Sequence, residues 1–381
     1  MIYLDNAATT FPKPPGVSEE ICKCINKYCG NPGRSSNSLS IKCAEKIYDT
    51  RVLLAEMFSA DTDNVCFTYN TTYALNIAIK SFIKGNEHIL ISDIEHNSVL
   101  RPVYNCSKEK NCTYTVFNTV GTDEDILNNI YEKIRINTAL LVCTHVSNIG
   151  SRRLPIEKIG KLCKEKNIKF ILDGAQSAGI YDIDIKKMNI DALCIPGHKA
   201  LYGPQGVGAI IFGNETIGKT VIEGGTGISS LELEMPDFLP ERYEGGTLAT
   251  PNIIGLGEGL KWLKSIGPNK LRLHEESLYD TLKELLSYHN NIKIYEMNKY
   301  SGNTLLFNIS DHSPSQVSAA LNKLNIYVRS GFHCAPLAHK AMGTGEGGAV
   351  RVSFGAYNSK KDVYSLYDAL QPLIKNKKLL V

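Results

Sequence analysis

One feature limits the possible folds of this chain more than any other. Between about residues 65 and 212, short apolar or β-branched runs alternate with helix-like stretches. This alternation is typical of a mostly parallel β-sheet whose strands are connected by helices. We predict seven strands here, which together make a large α/β domain. The predicted strands are 65–69, 88–92, 112–117, 139–144, 168–172, 191–195 and 207–212.

The chain is long for a single compact core, and its second half has a different pattern from its first. Beyond Pro251, two long helices are followed by strands mixed with helices. Pro155 stands at the predicted first position of an earlier helix, where its missing N–H costs no hydrogen bond. We therefore predict a large domain over residues 15–255 and a smaller α+β domain made of residues 1–14 and 256–381. The main predicted helices are 72–84, 155–166, 253–265 and 270–288.

Charge and hydropathy exclude several classes of protein. The 42 Lys and Arg residues nearly balance the 39 Asp and Glu residues, and the net charge of +3 gives no strong field for nucleic acid or an anionic membrane. No segment is apolar over the length that spans a bilayer, and the first residues show no basic stretch followed by an apolar run. We therefore expect a soluble, cytoplasmic protein that binds neither nucleic acid nor membrane.

The 11 cysteines are predicted to be free thiols, because their number is odd and no secretion signal precedes them. Three stand inside apolar runs and are interpreted as inert core residues. Three others lie close together without a second Cys or His pair at ligand spacing, so a helix and its end are favoured over a zinc site, and no metal is predicted. The first three are Cys66, Cys143 and Cys194, and the others are Cys22, Cys24 and Cys29.

Lys199 is the most informative single residue. It follows the predicted strand 191–195 and begins a Gly-rich turn, and ligands of open α/β sheets bind beyond such strand ends. A lysine in a dry pocket has a lowered pKa and can form a Schiff base with an aldehyde cofactor. Asp173 ends another apolar strand, and pyridoxal phosphate (PLP) needs a carboxylate against its pyridinium nitrogen. A solvated lysine and a helix-capping aspartate are the ordinary alternatives, but together the two residues predict a PLP site.

Polar residues follow three other predicted strands. Thr71 and Thr72 lie between a strand and a helix, where hydroxyls and free N–H groups can hold a phosphate, although ordinary helix capping would look similar. His96 follows the strand that ends at Ser92 and suits stacking on a flat cofactor ring. Asn148 follows the predicted strand 139–144 and can reach cofactor or substrate. Each residue alone is more often structural, so the functional interpretation depends on the group.

Cys334 lies on a polar, Gly-bounded loop near His and Arg residues, unlike the cysteines in apolar runs. Such surroundings suit a nucleophilic thiol, and a buried structural cysteine is the alternative. Arg329 and Arg351 stand at strand boundaries and can clasp a substrate carboxylate in bidentate fashion, with surface salt bridges as the alternative.

The ordered set of motifs resembles a known family, the PLP-dependent class V aminotransferases, and within it the cysteine desulfurases and selenocysteine lyases. The resemblance runs nearly from end to end. The short loop before Cys334 is similar to that of the subgroup that includes the Suf-type desulfurases. The matching motifs are Tyr3-Leu-Asp-Asn6-Ala-Ala-Thr, Asn31-Pro-Gly-Arg34, Asn70-Thr-Thr72, Glu95-His96, Ser147-Asn148, Asp173-Gly-Ala-Gln176, Gly197-His198-Lys199, Tyr243-Glu-Gly-Gly-Thr247 and Arg329-Ser-Gly-Phe-His-Cys334-Ala.

The resemblance implies a PLP-dependent transferase fold of the aspartate aminotransferase type and further site residues. Gln176 is expected to bond the phenolate oxygen of the cofactor. Thr72 and His198 are expected to bind its phosphate. Thr247 is expected to reach the phosphate held by a neighbouring subunit, which implies a homodimer.

Three positions depart from the family pattern. Pro196 stands where the family often has Ser or Thr, so one phosphate donor is absent. Tyr73 replaces the usual Glu after the paired threonines, and Phe332 replaces a common His beside Cys334. The last departure can change substrate preference or the sulfur acceptor.

The reaction implied by the resemblance is the conversion of L-cysteine to L-alanine. Lys199 holds the cofactor and then moves the Cα proton, while His96 assists proton transfers. Cys334 attacks the substrate sulfur and keeps it as a persulfide for an acceptor protein, as in sulfur mobilisation for iron–sulfur cluster assembly. The alternatives are an L-selenocysteine lyase, a class V aminotransferase, and a catalytically silent scaffold or sulfur carrier. The intact Asp173, Lys199 and Cys334 count against the last of these.

Overall fold

The computed structural model describes residues 1–33, 36–213, 218–296 and 302–375. Arg34, part of one matched motif, lies outside the described residues. The strands are β1 (Ile2–Tyr3), β2 (Val65–Thr68), β3 (His88–Ser92), β4 (Thr113–Phe117), β5 (Thr138–Thr144), β6 (Lys169–Asp173), β7 (Ala192–Pro196), β8 (Gly208–Phe212), β9 (Ile292–Tyr295), β10 (Thr304–Ile309), β11 (Ile326–Tyr327), β12 (Arg329–Gly331) and β13 (Ala349–Ser353). The helices are α1 (Pro15–Lys27), α2 (Ser38–Phe58), α3 (Thr71–Phe82), α4 (Asn97–Glu109), α5 (Asp123–Lys133), α6 (Ile156–Glu165), α7 (Thr250–Ile266), α8 (Pro268–Ser287), α9 (Pro314–Lys323), α10 (Pro336–Met342) and α11 (Lys360–Ile374).

Seven strands form one large sheet in the order β2-β8-β7-β6-β5-β3-β4. The pairs β3 with β4, β3 with β5, β5 with β6 and β6 with β7 are parallel. Strand β8 is antiparallel to both of its neighbours. The predicted α/β class with a mostly parallel, seven-stranded sheet is therefore confirmed, and the predicted strand ends lie within one residue of the observed ones.

Apart from the edge strand β4, the large sheet is largely buried on both faces, as expected where crossover helices cover parallel strands. Because successive side chains of a strand point to opposite faces, neighbours along a strand belong to different cores. Leu90 and Leu141 belong to one apolar cluster, whereas Ile89 and Leu140 belong to another. The continuous apolar runs of the sequence therefore reflect two cores, one on each side of the sheet.

Helix ends depend on capping groups that the apolar pattern does not report. Helix α3 begins after Asn70, whose side chain accepts a hydrogen bond from the Tyr73 N–H at 3.1 Å. Helix α6 begins at Ile156, so the prediction that Pro155 is its first residue is wrong by one position. The ψ of Pro155 is 71°, outside the helical range, and places this residue at the N-cap. The other predicted helix ends differ from the observed ones by one to three residues.

A smaller sheet, in the order β12-β13-β10-β9, follows α7 and α8 in the chain and is antiparallel throughout. Its apolar side chains pack with α8, α9 and α11 in a third apolar cluster, which also contains Leu4. Strand β1 pairs in parallel with β11. The N-terminal segment therefore lies with the C-terminal part of the chain. Helix α7 crosses the predicted domain boundary at residue 255, and the boundaries stay predictions.

The carboxyl ends of the parallel strands meet at one edge of the large sheet. Strand β6 ends at Asp173 and β7 ends two residues before His198. His96 and Asn148 each lie four residues after the ends of β3 and β5. The fold thus gathers polar residues from distant parts of the sequence at this edge.

Candidate active site

A cleft of about 460 Å³ opens at the carboxyl edge of the large sheet. Its place agrees with the rule that ligands of open α/β sheets bind beyond the carboxyl ends of the strands. Eight predicted site residues line the cleft, and four do not. The four are Thr247, Arg329, Cys334 and Arg351. The eight are Thr71, Thr72, His96, Asn148, Asp173, Gln176, His198 and Lys199.

Asp173 and Lys199 bring opposite charges to the cleft. Asp173 is 2% exposed and accepts a hydrogen bond from the Ala175 N–H at 2.9 Å. Burial raises the pKa of Asp173, while this hydrogen bond and the Lys199 charge act in the opposite direction. Burial lowers the pKa of Lys199 to about 8, and the Asp173 charge opposes this effect. Lys199 is therefore partly a neutral amine at physiological pH, which is the form that attacks an aldehyde.

His96 is held by a hydrogen-bond network at the start of α4. Its Nδ1 accepts a hydrogen bond from the Ser98 N–H at 3.0 Å and lies 2.8 Å from the Ser98 hydroxyl, which lies 2.7 Å from the hydroxyl of Thr72. Burial, followed by the Lys199 charge, lowers the pKa of His96 to about 4. The ring is therefore neutral, and because Nδ1 accepts, the proton resides on Nε2. Such a ring suits covering a flat cofactor and donating a hydrogen bond from Nε2.

Two buried polar atoms that line the cleft have no hydrogen-bond partner within the described residues. They are Thr71 Oγ1, at the N-terminus of α3, and His198 Nδ1. Unpaired buried polar groups are rare in folded proteins, and a helix N-terminus favours an anion. Burial and the charges of Lys199 and Lys13 lower the pKa of His198 to about 4, so its ring is neutral. A phosphate group at this end of the cleft would satisfy both atoms.

Asn148 and Gln176 connect the cleft to other parts of the chain. Asn148 Nδ2 donates a hydrogen bond to the His333 carbonyl at 2.8 Å, and its backbone carbonyl accepts one from Arg351 Nη1 at 3.2 Å. Gln176 Nε2 donates to the Ala7 carbonyl at 3.0 Å. These contacts are made within the protein, and the predicted roles of both residues toward cofactor and substrate stay predictions.

Cys334 is exposed on the loop between β12 and α10, outside the lining of the cleft. Its Sγ lies 3.9 Å from Arg329 Nη2. Its carbonyl oxygen accepts a hydrogen bond from the Asn97 N–H at 2.7 Å. Because Asn97 directly follows His96 in the chain, this bond ties the loop to the residue that lines the cleft.

Arg351 is 1% exposed and forms an ion pair with Asp5 through Nη2. Its Nε is buried and has no hydrogen-bond partner in the part of the chain that the structure describes. Arg351 contacts the carbonyl of Asn148, which lines the cleft, and Arg329 lies beside Cys334; the charges of both contribute to the lowered pKa of Lys199. Their predicted binding of a substrate carboxylate stays a prediction.

Thr247 lies apart from the other predicted residues. It is exposed and lines a separate cleft of about 320 Å³, together with Phe67 and Tyr243. One chain therefore does not bring Thr247 into the cleft of Lys199. Its predicted contact is with a neighbouring subunit.

Glu95 is a buried residue of the site to which the sequence analysis gave no role. It is 0% exposed, and its Oε1 accepts hydrogen bonds from the Ser92 hydroxyl and from the Thr144 N–H, the latter at 2.9 Å. Burial raises the pKa of Glu95 to about 8, and the charge of Asp173 acts in the same direction. A neutral carboxyl group therefore joins the ends of β3 and β5. The available signal was its position directly before His96, in a segment that follows a buried strand.

The departures from the family pattern lie at or near the site. Tyr73 lines the cleft, Pro196 is the buried last residue of β7, and Phe332 is exposed beside Cys334. Ser98, which the sequence analysis missed, places a further hydroxyl in the cleft. The signal for Ser98 was its spacing of two residues from His96, which is the spacing of a helix-capping contact.

The described residues offer neither a metal site nor a membrane span. Within them, no group of three or more His, Cys, Asp and Glu side chains is arranged to hold a metal ion. No helix within those ranges is both long and apolar enough to cross a membrane. All 11 cysteines are free thiols.

Comparisons with known proteins agree with one another. The chain matches the model of the family described as aminotransferase class-V over residues 2–366. It is 33% identical to a probable cysteine desulfurase of Pyrococcus abyssi, over 99% of this chain and 95% of that protein. It is 30% identical to a probable cysteine desulfurase of Methanothermobacter thermautotrophicus, over 98% of this chain and 94% of that protein.

Solved structures give the same result. The apo structure of a cysteine desulfurase from Thermococcus onnurineus NA1 superposes with a TM-score of 0.89 at 30% identity, and the match covers 98% of this chain and 94% of that one. A cysteine desulfurase from Escherichia coli superposes with a TM-score of 0.88 at 22% identity, with the same coverage, and supports the fold alone.

Proposed function

The chain belongs to the cysteine desulfurase family of class-V aminotransferases, and on this premise we propose that it is a PLP-dependent enzyme that converts L-cysteine to L-alanine. The sulfur remains as a persulfide on Cys334. The proposal depends above all on a cleft that bears Lys199 and Asp173, with an exposed thiol on the neighbouring loop. A conventional class-V aminotransferase needs no such thiol.

The polar groups of the cleft fit PLP. The unpartnered Thr71 Oγ1 and His198 Nδ1 would hold its phosphate. Asp173 would hold its pyridinium nitrogen, and Lys199 would bind its aldehyde through Nζ. When bound, the cofactor supplies an electron sink for the electron pair released at the substrate carbons. The residues proposed to hold it are Thr71, Thr72, His96, Asn148, Asp173, Gln176, His198 and Lys199, with Thr247 from the neighbouring subunit.

Lys199 moves the protons of the proposed reaction, and His96 assists by donating a hydrogen bond. A pKa of about 8 leaves Lys199 able to act as a base that takes the proton from the substrate Cα. His96 is neutral and donates from Nε2, so it orients groups above the cleft without adding a charge. Arg351, with Arg329, binds the substrate carboxylate, since both guanidinium groups lie near Lys199.

Cys334 performs the sulfur transfer. Its thiolate attacks the sulfur of L-cysteine, so that an S–S bond forms as the bond between the substrate sulfur and Cβ breaks. The carbon fragment takes up protons and leaves as L-alanine. L-Cysteine and the Cys334 thiol thus give L-alanine and the Cys334 persulfide, and no external oxidant or reductant is needed. An acceptor protein then removes the sulfur.

The proposed enzyme is a cytoplasmic homodimer. Thr247 is exposed and lies outside the cleft of its own chain. This position is consistent with a contact to the cofactor phosphate bound by the neighbouring subunit. Sedimentation velocity of the active enzyme should show a dimer, and an active monomer would contradict the role of Thr247.

The test is to compare wild type and Cys334→Ser with L-cysteine. After brief exposure, mass spectrometry of the wild type should find one added sulfur on the peptide that contains Cys334. Cys334→Ser should retain the visible absorbance of the cofactor and its change on adding L-cysteine, because the cleft is intact. Release of alanine, and of sulfide when a reducing thiol is added to cleave the persulfide, should fall at least ~100-fold, since a serine hydroxyl is a poor nucleophile toward sulfur.

Cys22→Ser and Cys29→Ser are matched controls, because these two cysteines are also exposed and should leave turnover unchanged. An unmodified Cys334 peptide, or full cysteine turnover in Cys334→Ser, would contradict the desulfurase proposal. Selenocysteine is assayed in parallel. Turnover of selenocysteine that survives in Cys334→Ser, with none of L-cysteine in the wild type, would favour a selenocysteine lyase.

A further inference from the structure

The loop of residues 329–344, here called the nucleophile loop, holds an unusual backbone conformation around Cys334. His333 and Cys334 have φ values of 50° and 58°. Side chains with a Cβ rarely adopt this left-handed conformation, and two such residues in succession persist only where the surrounding structure holds them. The contacts within the loop show what holds them.

A chain of hydrogen bonds runs through the interior of the nucleophile loop. His333 Nε2 lies 3.3 Å from the Arg329 carbonyl oxygen, and His333 Nδ1 lies 3.1 Å from His339 Nε2. His339 Nδ1 lies 2.8 Å from Thr344 Oγ1. His333, His339 and Thr344 are 3%, 1% and 6% exposed. The two histidine rings are also stacked, with centroids 5.3 Å apart.

Only one arrangement of protons satisfies this chain with neutral rings. The Arg329 carbonyl can only accept, so His333 Nε2 donates and His333 Nδ1 accepts. His339 Nε2 therefore donates, and His339 Nδ1 accepts from the Thr344 hydroxyl. Burial and the charge of Arg351 lower the pKa of His333 to about 2 and that of His339 to about 4. Both rings are thus neutral at physiological pH, and the direction of the chain is fixed.

Two further bonds connect the held segment to the large sheet. The His333 carbonyl accepts from Asn148 Nδ2 at 2.8 Å, and the Cys334 carbonyl accepts from the Asn97 N–H at 2.7 Å. Both bonds are accepted by the carbonyl groups of the two residues that have the left-handed conformation. The ring of His333 is therefore hydrogen-bonded to groups within the loop, and its carbonyl group is hydrogen-bonded to Asn148, which lines the cleft.

We propose that His339 is a positioning residue for the nucleophile: through His333 it keeps the loop in the conformation that presents Cys334 to the cleft. This inference rests on the proposed role of Cys334 and deepens it. His339 does not touch the substrate, because both of its ring nitrogens are engaged within the loop. Thr344 supports His339 in the same way.

The test compares three variants of this chain. His339→Leu removes both ring bonds, Thr344→Val removes one, and His339→Gln keeps a donor that can reach His333. In His339→Leu, kcat for alanine formation should fall about 100-fold, as expected for a misplacement of about 1 Å, with KM and the cofactor absorbance unchanged. Thr344→Val should lose less, and His339→Gln should recover most of the loss. A purely structural role would not give this recovery or this separation of kcat from KM.

A second measurement does not depend on turnover. Hydrogen exchange in the cofactor-loaded and cofactor-free protein should be faster at the Asn97 amide and across the nucleophile loop in His339→Leu than in wild type. His88→Leu is the matched control. His88 is another buried neutral histidine with two hydroxyl partners, Thr138 and Thr115, at the opposite end of the large sheet. This control should leave kcat and exchange at Asn97 unchanged.

Unchanged kcat and unchanged exchange in His339→Leu would overturn the inference, and so would an equal loss in His88→Leu. The inference would also be overturned if His339→Leu lost bound cofactor in the same proportion as it lost kcat. If wild type released no alanine from L-cysteine, the proposed function would fail, while the exchange measurement would still decide whether His339 holds the loop.

Discussion

The cleft and the nucleophile loop obtain their geometry in different ways. In the cleft, each key side chain lies at or just beyond the end of a strand, and the register of the sheet sets its place, as where Thr144 pairs with Asp173. In the nucleophile loop no such register exists. The place of Cys334 depends instead on a chain of three side chains and two bonds to the cleft. We therefore expect the cleft to keep its geometry when a single side chain is substituted. We expect the loop to change its conformation when one hydrogen bond of the chain is removed.

The largest effect should come from Lys199→Ala. It should abolish the visible absorbance of bound PLP and lower turnover at least ~10³-fold, because Lys199 is both the attachment point and the proposed base. If the two regions are independent, Cys334 should still react with iodoacetamide at the wild-type rate. Mass spectrometry of the alkylated peptides, with Cys22 and Cys29 as internal references, measures that rate. A variant that kept the absorbance band would refute the assignment of Lys199.

A smaller but still large effect should come from Asp173→Ala. PLP should bind more weakly and turnover should fall roughly 100-fold, because an unprotonated pyridine ring is a poor electron sink. Asp191→Ala is the matched control. Asp191 directly precedes β7, at the edge of the sheet opposite to the cleft, and forms an ion pair with Lys169. Equilibrium titration with PLP and kcat measure the two effects. Near-normal turnover in Asp173→Ala would mean that this carboxylate serves only to accept the Ala175 N–H.

The smallest effect on turnover should come from Glu95→Gln, which replaces a neutral carboxyl with a neutral amide of the same shape. Because burial raises the folded-state pKa of Glu95 to about 8, its contribution to stability is fully present below its unfolded pKa and is lost as pH rises toward 8. Relative to wild type, Glu95→Gln should therefore gain stability between about pH 4.5 and pH 8, by up to a few kcal/mol. Urea unfolding at several pH values measures this difference.

Glu275→Gln is the comparison for this prediction. Burial also raises the pKa of Glu275 to about 8, but this residue lies on α8, away from the cleft lining. The same pH trend in stability should appear, with kcat unchanged. A stability difference between Glu95→Gln and wild type that did not vary with pH would mean that Glu95 is ionised in the folded protein.

The difference between the two regions also explains what the sequence could predict. The seven strands were predicted within one residue because apolar runs buried on two faces leave a strong local pattern. The sequence could predict that residues at strand ends, such as Asp173 and Lys199, lie close together, because the carboxyl ends of parallel strands share one edge of the sheet. Helix starts are predicted less accurately, as Pro155 shows, because a cap depends on backbone angles that composition does not report.

The network of the nucleophile loop left no comparable signal. His333 and His339 lie six residues apart across the start of a short helix, and neither a helix nor a strand brings side chains at this spacing into contact. Thr344 contacts His339 only because the chain turns back after α10. The sequence could mark Cys334 by its polar, Gly-bounded surroundings, but the side chains that shape its backbone are recognisable only in three dimensions.

The ion pair between Arg351 and Asp5 has a consequence for substrate entry. On the proposed role of Arg351, the carboxylate of L-cysteine arrives at a guanidinium group that already holds a carboxylate of its own chain. Where the incoming carboxylate displaces Asp5 from Nη2, binding would be an exchange of one anion for another, and the buried cation would not be left without a counter-ion. If L-cysteine binds there, its affinity would measure the difference between two carboxylates competing for one arginine, and Asp5 would act as an internal competitor of the substrate.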